Sequence, residues 1–409
     1  MSALPDKFIR VTGGSADRPL PLTGLRVLDL GRIYQGPWCG TLLALAGATV
    51  VKVEAPGGEP ARGVGGGTTV PVALLNPNKD AITLNLKSDR GRGLFLDLVR
   101  AADVVVENFG PGVMERLGVG AEQLLAVNPR LIYGASTAYG VDGPDRDRLG
   151  MDVTVQAYSG VMSVTGFPGQ PPVKAGVAFV DFLGGTHLYA GIVTALYERE
   201  RTGLGRIVDV AMIDTVYPTL SSNLAGWYRD GVTPQTGNGH GGSGLVPYNV
   251  YPAADGYIAV IVLTADHWRR LCTAMGRPEM ADDDRFRSNG RRYHNLAALE
   301  EAITAWTSSL SRDDVIAALT EARVPAAAVR QVSEVMEDPN LHERGALQRI
   351  DHPELGEMVV PNSPLRFRGT DPLPLRPSPA LGEHNVAVYG EWLGLTPEEV
   401  QGLAADGVV

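Results

Sequence analysis

The chain has 409 residues, enough for two domains at roughly 150 residues each. Hydrophobic residues make up 44% and charged residues 20%, as in ordinary globular proteins, and the net charge of −10 argues against a surface built to coat nucleic acid or an anionic membrane. Two cysteines, Cys39 and Cys272, are too few for a disulfide framework or a multi-cysteine metal site, which points to a reducing cytoplasm. The start of the chain has no long apolar run, and no stretch of about 18 apolar residues occurs anywhere, so neither a signal peptide nor a membrane span is expected.

In chain order, Leu25–Leu30 is a short apolar run that reads as a strand. A helix is expected over Trp38–Ala46, with Pro37 suited to its first turn, and Gly47 ends it before a second strand at Thr49–Glu54. That order is a parallel βαβ unit. Ala81–Leu86 is strand-like, and Ser88 can cap a helix whose apolar stripe is Leu94, Phe95, Leu98 and Val99. Further buried strands are expected at Asp103–Glu107 and Leu131–Gly134, a short helix from Asp152, a long helix over Gly184–Glu200 and a strand at Arg206–Ala211. A glycine-rich, aperiodic stretch from Thr233 to Gly244 marks a domain boundary. Beyond it, Tyr248–Pro252 and Tyr257–Leu263 flank Ala254-Asp255-Gly256 as a hairpin. Helical patterns follow at Asp266–Met275, Leu296–Leu310 and Ser311–Arg323, the last opened by Ser311 and Asp314. The tail from Glu334 reads as Pro-rich and extended, ending in a short helix at Pro397–Leu403.

Missing signatures prune the chemistry. No P-loop motif occurs, and the first strand is followed by two glycines five apart, Gly31 and Gly36, and not by the dinucleotide fingerprint. There is no zincin helix motif and no nucleophile elbow, and the seven histidines are scattered, so no metal is expected.

What is present is an ordered set of segments: Pro21–Leu30, Gln35-Gly36-Pro37, Gly47–Glu54, Asn78-Lys79, Glu107–Gly112, Gly150-Met151-Asp152, Thr202-Gly203, Asp255-Gly256-Tyr257 and Pro379–His384. Together they resemble the family III CoA-transferases, the CaiB/BaiF group, over nearly the whole chain. The resemblance implies an α/β fold: a Rossmann-like large domain with a parallel sheet, a smaller α+β domain, and an interlocked homodimer. The large domain would run over 1–225, the small one over 245–330, and 335–409 would return to the large domain. The long connections near Tyr217–Gly244 and Arg330–Pro361 suit such threading.

It also implies a covalent mechanism through one aspartate, placed at Asp152 as the catalytic residue. A carboxylate attacks a thioester, expels CoA as thiolate and forms a mixed anhydride, with water kept out. Asp181 and Asp209 read as structural. Coenzyme A thioester is the substrate and no permanently bound cofactor is implied; the partners are an acyl-CoA and a small carboxylic acid, with no nucleic acid and no membrane. Matched to the family's CoA pocket, Tyr34 and Gln35 lie beside the ligand, Leu84 and Lys87 border adenine and its phosphate, Asn108, Phe109 and Arg116 continue that wall, and Thr137, Ala138, Tyr139 and Gly140 follow the pantetheine arm. Where some members carry a phosphate-holding arginine, this chain has Ala55, for which Arg62 or Lys52 would substitute. A glycine-rich loop with His240, Gly241 and Gly242 is expected to shield the aspartate.

Succinyl-CoA is the suggested donor. A racemase would need a histidine upstream of the aspartate, but Met151 stands there and the first histidine is His187. An intramolecular CoA transfer would use the same aspartate, and a catalytically silent CoA-binding protein is the non-enzymatic alternative.

Overall fold

The structure is a computed structural model describing residues 19–239, 244–367, 369–370 and 373–409. These fall into two units. One takes the described residues up to Asp152 with Ala178–Thr215 and Asp338–Val409; the other takes Val153–Val177 and Val216–Glu337. Residues 153–177, expected with the large domain, group instead with the second unit.

The first unit is built on six parallel strands: β1 (Arg26–Asp29), β2 (Thr49–Glu54), β3 (Asp80–Thr83), β4 (Val104–Glu107), β5 (Ile132–Thr137) and β6 (Arg206–Ala211). Their order is β3-β2-β1-β4-β5-β6, the Rossmann arrangement. Strands β4 and β5 are buried along their whole length, which is why they read as unbroken apolar runs and not as alternating ones. Successive strands proceed to one side as far as β3, and the chain then returns to pair β4 with β1. The strand order therefore reverses between β1 and β4, and the crevice beyond their carboxyl ends is where such sheets bind ligands.

Helix α1 (Gln35–Leu45) follows β1, with Pro37 in its first turn. Helix α2 (Asp89–Arg100) is capped by Ser88, whose Oγ accepts the Gly91 N–H at 3.0 Å. A short helix, α3, covers Asp152–Tyr158. The long helix α4 covers Phe179–Thr202, beginning five residues before the expected Gly184. Its missing first turn was hidden in the sequence because its cap comes from a distant residue: the Asp152 carboxylate accepts the Val180 N–H at 2.9 Å. Gly184 and Gly185, which resemble a helix start, are instead a close-packing face. A Cβ on Gly185 would stand 2.5 Å from the Gln35 carbonyl oxygen, and one on Gly184 would stand 2.3 Å from Gln35 Nε2.

The second unit has three antiparallel strands, β7 (Tyr248–Ala253), β8 (Gly256–Ile261) and β9 (Ala326–Ala328). Helices α5 (Ala265–Ala274), α6 (Leu296–Thr307) and α7 (Arg312–Glu321) supply Trp268, Leu271, Ile303, Val315 and Leu319 to its core. The chain then returns to the first unit. There the expected extended tail is in fact a hairpin, β10 (Leu347–His352) with β11 (Gly356–Pro361), followed by helix α8 (Asn385–Leu393) and helix α9 (Pro397–Ala405). Tyr389 Oη donates to the Thr83 carbonyl at 2.8 Å, and Val388, Trp392, Val400 and Leu403 join the core beside β3 and α2.

Candidate active site

Because the strands are parallel, the segments that leave β1, β4 and β5 emerge at one edge of the sheet. A buried ion pair fixes the first, and side-chain hydrogen bonds to backbone fix the second. Lys79 Nζ, fully buried, donates to Asp29 Oδ2 at 2.8 Å, to the Pro37 carbonyl at 2.8 Å and to Asn76 Oδ1 at 2.9 Å, tying the end of β1 to the start of α1. Burial pulls the Lys79 ammonium below its ordinary pKa, and the Asp29 charge opposes this. The Asn108 side chain clamps the backbone of Arg32 from both sides, accepting its N–H at 2.7 Å and donating to its carbonyl at 3.1 Å. Phe109 N–H donates to Glu107 Oε2 at 2.7 Å, and burial raises that carboxyl to about 7.

The expected ligand-lining residues sort into two groups. Tyr34, Ala138, Tyr139 and Asn108 stand at the sheet edge, and Gly140 turns the chain there with a positive φ of 94°, its N–H held by Thr137 Oγ1 at 2.9 Å. Lys87 and Arg116 are exposed cations. Leu84 and Gln35 differ from expectation. Leu84 is a core side chain at 2% exposure, so it offers a ligand no side-chain surface. The Gln35 amide is buried and donates to Ser136 Oγ at 2.6 Å, which commits it to joining α1 to β5. Neither Arg62 nor Lys52 replaces the arginine missing at Ala55. Arg62 forms a two-pronged pair with Glu54 at 2.7 Å for each prong, and Lys52 Nζ lies 2.7 Å from Glu59, all four side chains being buried. His240, Gly241 and Gly242 lie outside the described residues. The flanking Gly239 and Gly244 line a cavity of about 940 Å³ within the second unit, with Tyr248, Asn249 and Tyr293.

Two carboxylates meet where α3 and α4 begin. Asp152 is the first residue of α3 and spends Oδ2 on the Val180 N–H. Asp181 is the third residue of the 24-residue α4, half-buried, and its carboxylate makes no hydrogen bond or ion pair among the described residues. Burial, and then the charge of Asp152, push the Asp181 carboxyl from 3.8 up to about 7. Beside it, the Phe182 ring lies 6.3 Å from Tyr34 and 5.3 Å from Trp38, centroid to centroid. A Cβ on Gly150 would fall 2.3 Å from the Ala138 Cβ, so the Gly150-Met151-Asp152 turn is packed against the end of β5. Asp209 Oδ2 accepts the Val141 N–H at 3.4 Å.

The family model for CoA-transferase family III matches residues 22–385. The chain belongs to that family. It is 37% identical over 398 residues to succinyl-CoA–D-citramalate CoA-transferase of Chloroflexus aurantiacus, an alignment covering 96% of this chain and 98% of the relative. It is 36% identical to formyl-CoA:oxalate CoA-transferase of Streptomyces avermitilis, covering 95% and 99%. A CAIB/BAIF family protein from Brucella suis has a similar solved structure, with TM-score 0.80 and 35% identity, covering 92% of this chain and all of that one. The protein is thus a CoA-transferase, an enzyme whose relatives act on acyl-CoA and carboxylate substrates.

Two features of this site have no clear local sign in the sequence. Asp181, expected to be structural because it lacks the Gly-x-Asp setting of Asp152, lies in the first turn of α4, one turn before the expected start at Gly184. Arg32 was not singled out at all. Its guanidinium carbon lies 4.1 Å from the centroid of the Phe109 ring.

Proposed function

We propose that this enzyme moves CoA from succinyl-CoA to a small carboxylic acid through a covalent acyl link on Asp181, with Asp152 as the residue that positions it. The observation that carries this reading is the half-buried Asp181 carboxylate at the start of α4, unpartnered among the described residues, beside an aspartate already committed to a backbone N–H. This exchanges the two roles expected from the sequence. A nucleophile must present a bare oxygen, and poor solvation makes a carboxylate anion more reactive. The first turn of α4 favours the anion by roughly 0.3–1 kcal/mol, which partly offsets the repulsion from Asp152.

The steps balance as a double exchange. A carboxylate oxygen of Asp181 attacks the succinyl carbonyl carbon, the C–S bond breaks, and CoA leaves as thiolate from a mixed anhydride. The thiolate attacks the aspartyl carbonyl of that anhydride, releasing succinate and leaving an aspartyl thioester. The acceptor carboxylate attacks this thioester, expels the thiolate again and forms a second anhydride. The thiolate then takes the acceptor's acyl group and restores Asp181. No net water or redox equivalent is consumed.

Succinyl-CoA as donor is supported by the name of the Chloroflexus relative. A homodimer is the proposed working form, supported by exposed apolar side chains on the second unit such as Trp227 and Tyr228, and the two buried free cysteines suit the cytoplasm. The test is incubation with succinyl-CoA and a panel of acids, including itaconate, glutarate and oxalate, with peptide mass spectrometry of the trapped protein. A hydroxylamine-sensitive adduct on the peptide holding Asp181 supports the reading. An adduct at Asp152, or exchange with no adduct, refutes it.

A further inference from the structure

Of the cations expected along the CoA pocket, Lys87 and Arg116 are exposed, but nothing expected replaces the arginine missing at Ala55. Ala55 carries no charge, and Arg62 and Lys52 are buried in pairs with Glu54 and Glu59. One cation at the sheet edge is uncommitted. The Arg32 guanidinium lies over the Phe109 ring just beyond β4, its carbon 4.1 Å from the ring centroid, and it makes no hydrogen bond or ion pair among the described residues.

Its backbone is fixed, since Asn108 holds both its N–H and its carbonyl, and the next residue, Ile33, donates its N–H to Glu59 Oε2 at 2.7 Å. Burial lowers the Arg32 pKa somewhat and the Glu59 charge opposes this, so the group stays cationic at neutral pH. Contact with an aromatic face uses none of the guanidinium N–H donors in hydrogen bonds, so they remain available to an anion. Arg32, Asn108 and Phe109 also stand at the reversal point between β1 and β4, where sheets of this kind bind nucleotide phosphates.

From these observations we infer that Arg32, stacked on Phe109 and clamped by Asn108, binds the diphosphate of coenzyme A. The exposed Lys87 and Arg116 are left for the adenosine 3′-phosphate. Arg32 is nearer the reacting end of the site, since Tyr34 and Gln35, two and three residues on in the chain, pack against the start of α4. An anchored arginine with free donors is the side chain suited to that bridging anion, which offers paired oxygens to a planar fork.

This inference rests on the CoA-transferase reading but is tested apart from it. Binding of CoA and of dephospho-CoA to the wild-type protein, Arg32→Ala and Arg32→Lys is measured by calorimetry, and kcat/KM is measured with succinyl-pantetheine, which has neither phosphate group. Arg32→Ala should weaken CoA and dephospho-CoA alike by about 10- to 100-fold, with Arg32→Lys between it and wild type, and leave the pantetheine thioester unchanged. A loss confined to CoA would assign Arg32 to the 3′-phosphate and overturn the inference. So would equal losses on all three ligands, which mark a structural role, or no loss at all. Phe109→Leu guards against misfolding: it keeps the charge but removes the stacking face, and should give a smaller loss of the same ligand pattern. Failure of wild-type exchange would count against the function while leaving the calorimetric comparison readable.

Discussion

Replacing Asp181 with asparagine should make the enzyme inactive and more stable together. The carboxyl is raised from 3.8 to about 7 by burial and by the neighbouring Asp152 charge. At about 1.4 kcal/mol per pKa unit, ionising Asp181 in the folded chain costs on the order of 4 kcal/mol more than in the unfolded chain. Below pH 4 the carboxyl is neutral in both states and the penalty vanishes. It builds as the unfolded carboxyl ionises between about pH 4 and 7, and is complete above pH 7, where both states are charged. Asp181→Asn should therefore unfold at higher denaturant concentration than wild type at pH 8, by up to about 4 kcal/mol, with the difference shrinking towards pH 4. Exchange should fall by at least about 1,000-fold with loss of the acyl adduct. The measurement is urea unfolding from pH 4 to 9 alongside succinyl-CoA exchange. A variant less stable than wild type at pH 8, or one that exchanges normally, refutes the reasoning.

Asp152→Asn keeps an acceptor for the Val180 N–H but removes the like charge, so exchange should survive and the rise of its rate with pH should move to lower pH; an unmoved profile would show that Asp152 does not act on Asp181. Gly185→Ala places a Cβ 2.5 Å from the Gln35 carbonyl, on backbone that cannot swing aside, and should cost about 1–3 kcal/mol in urea unfolding. Lys79→Ala leaves Asp29 charged and buried alone, at about 3–5 kcal/mol, and adding Asp29→Asn to it should recover part of that loss in the same assay.

The sequence carried the sheet well and the start of α4 poorly, for one reason. Buried parallel strands are continuous apolar runs, so Thr49–Glu54 and Val104–Glu107 could be read residue by residue. Local capping was equally plain: Ser88 and Ser311 each accept an N–H three residues on. The start of α4 had no such local sign, because its cap, Asp152, lies 28 residues upstream. The hairpin β10–β11 was hidden likewise, since Leu347–His352 alternates weakly and its partner strand ends at Pro361. Lys52 and Arg62 looked like free cations in the sequence because nothing local shows that Glu54 and Glu59 neutralise them.

That last distinction explains how the sheet edge combines rigidity with available charge. Three buried ion pairs, Asp29–Lys79, Glu59–Lys52 and Glu54–Arg62, hold the turns beyond β1 and β2 without leaving net charge there. Against that neutral frame, Arg32 and Asp181 are ionisable groups that the described residues leave unpaired, one cationic at the β1–β4 crevice and one acidic at the start of α4. A CoA thioester carries anionic phosphates at one end and an electrophilic carbonyl at the other. A site with a bare cation and a bare carboxylate on a fixed frame has the polarity to orient that substrate, whereas a site whose charges were all paired would have to break an ion pair first.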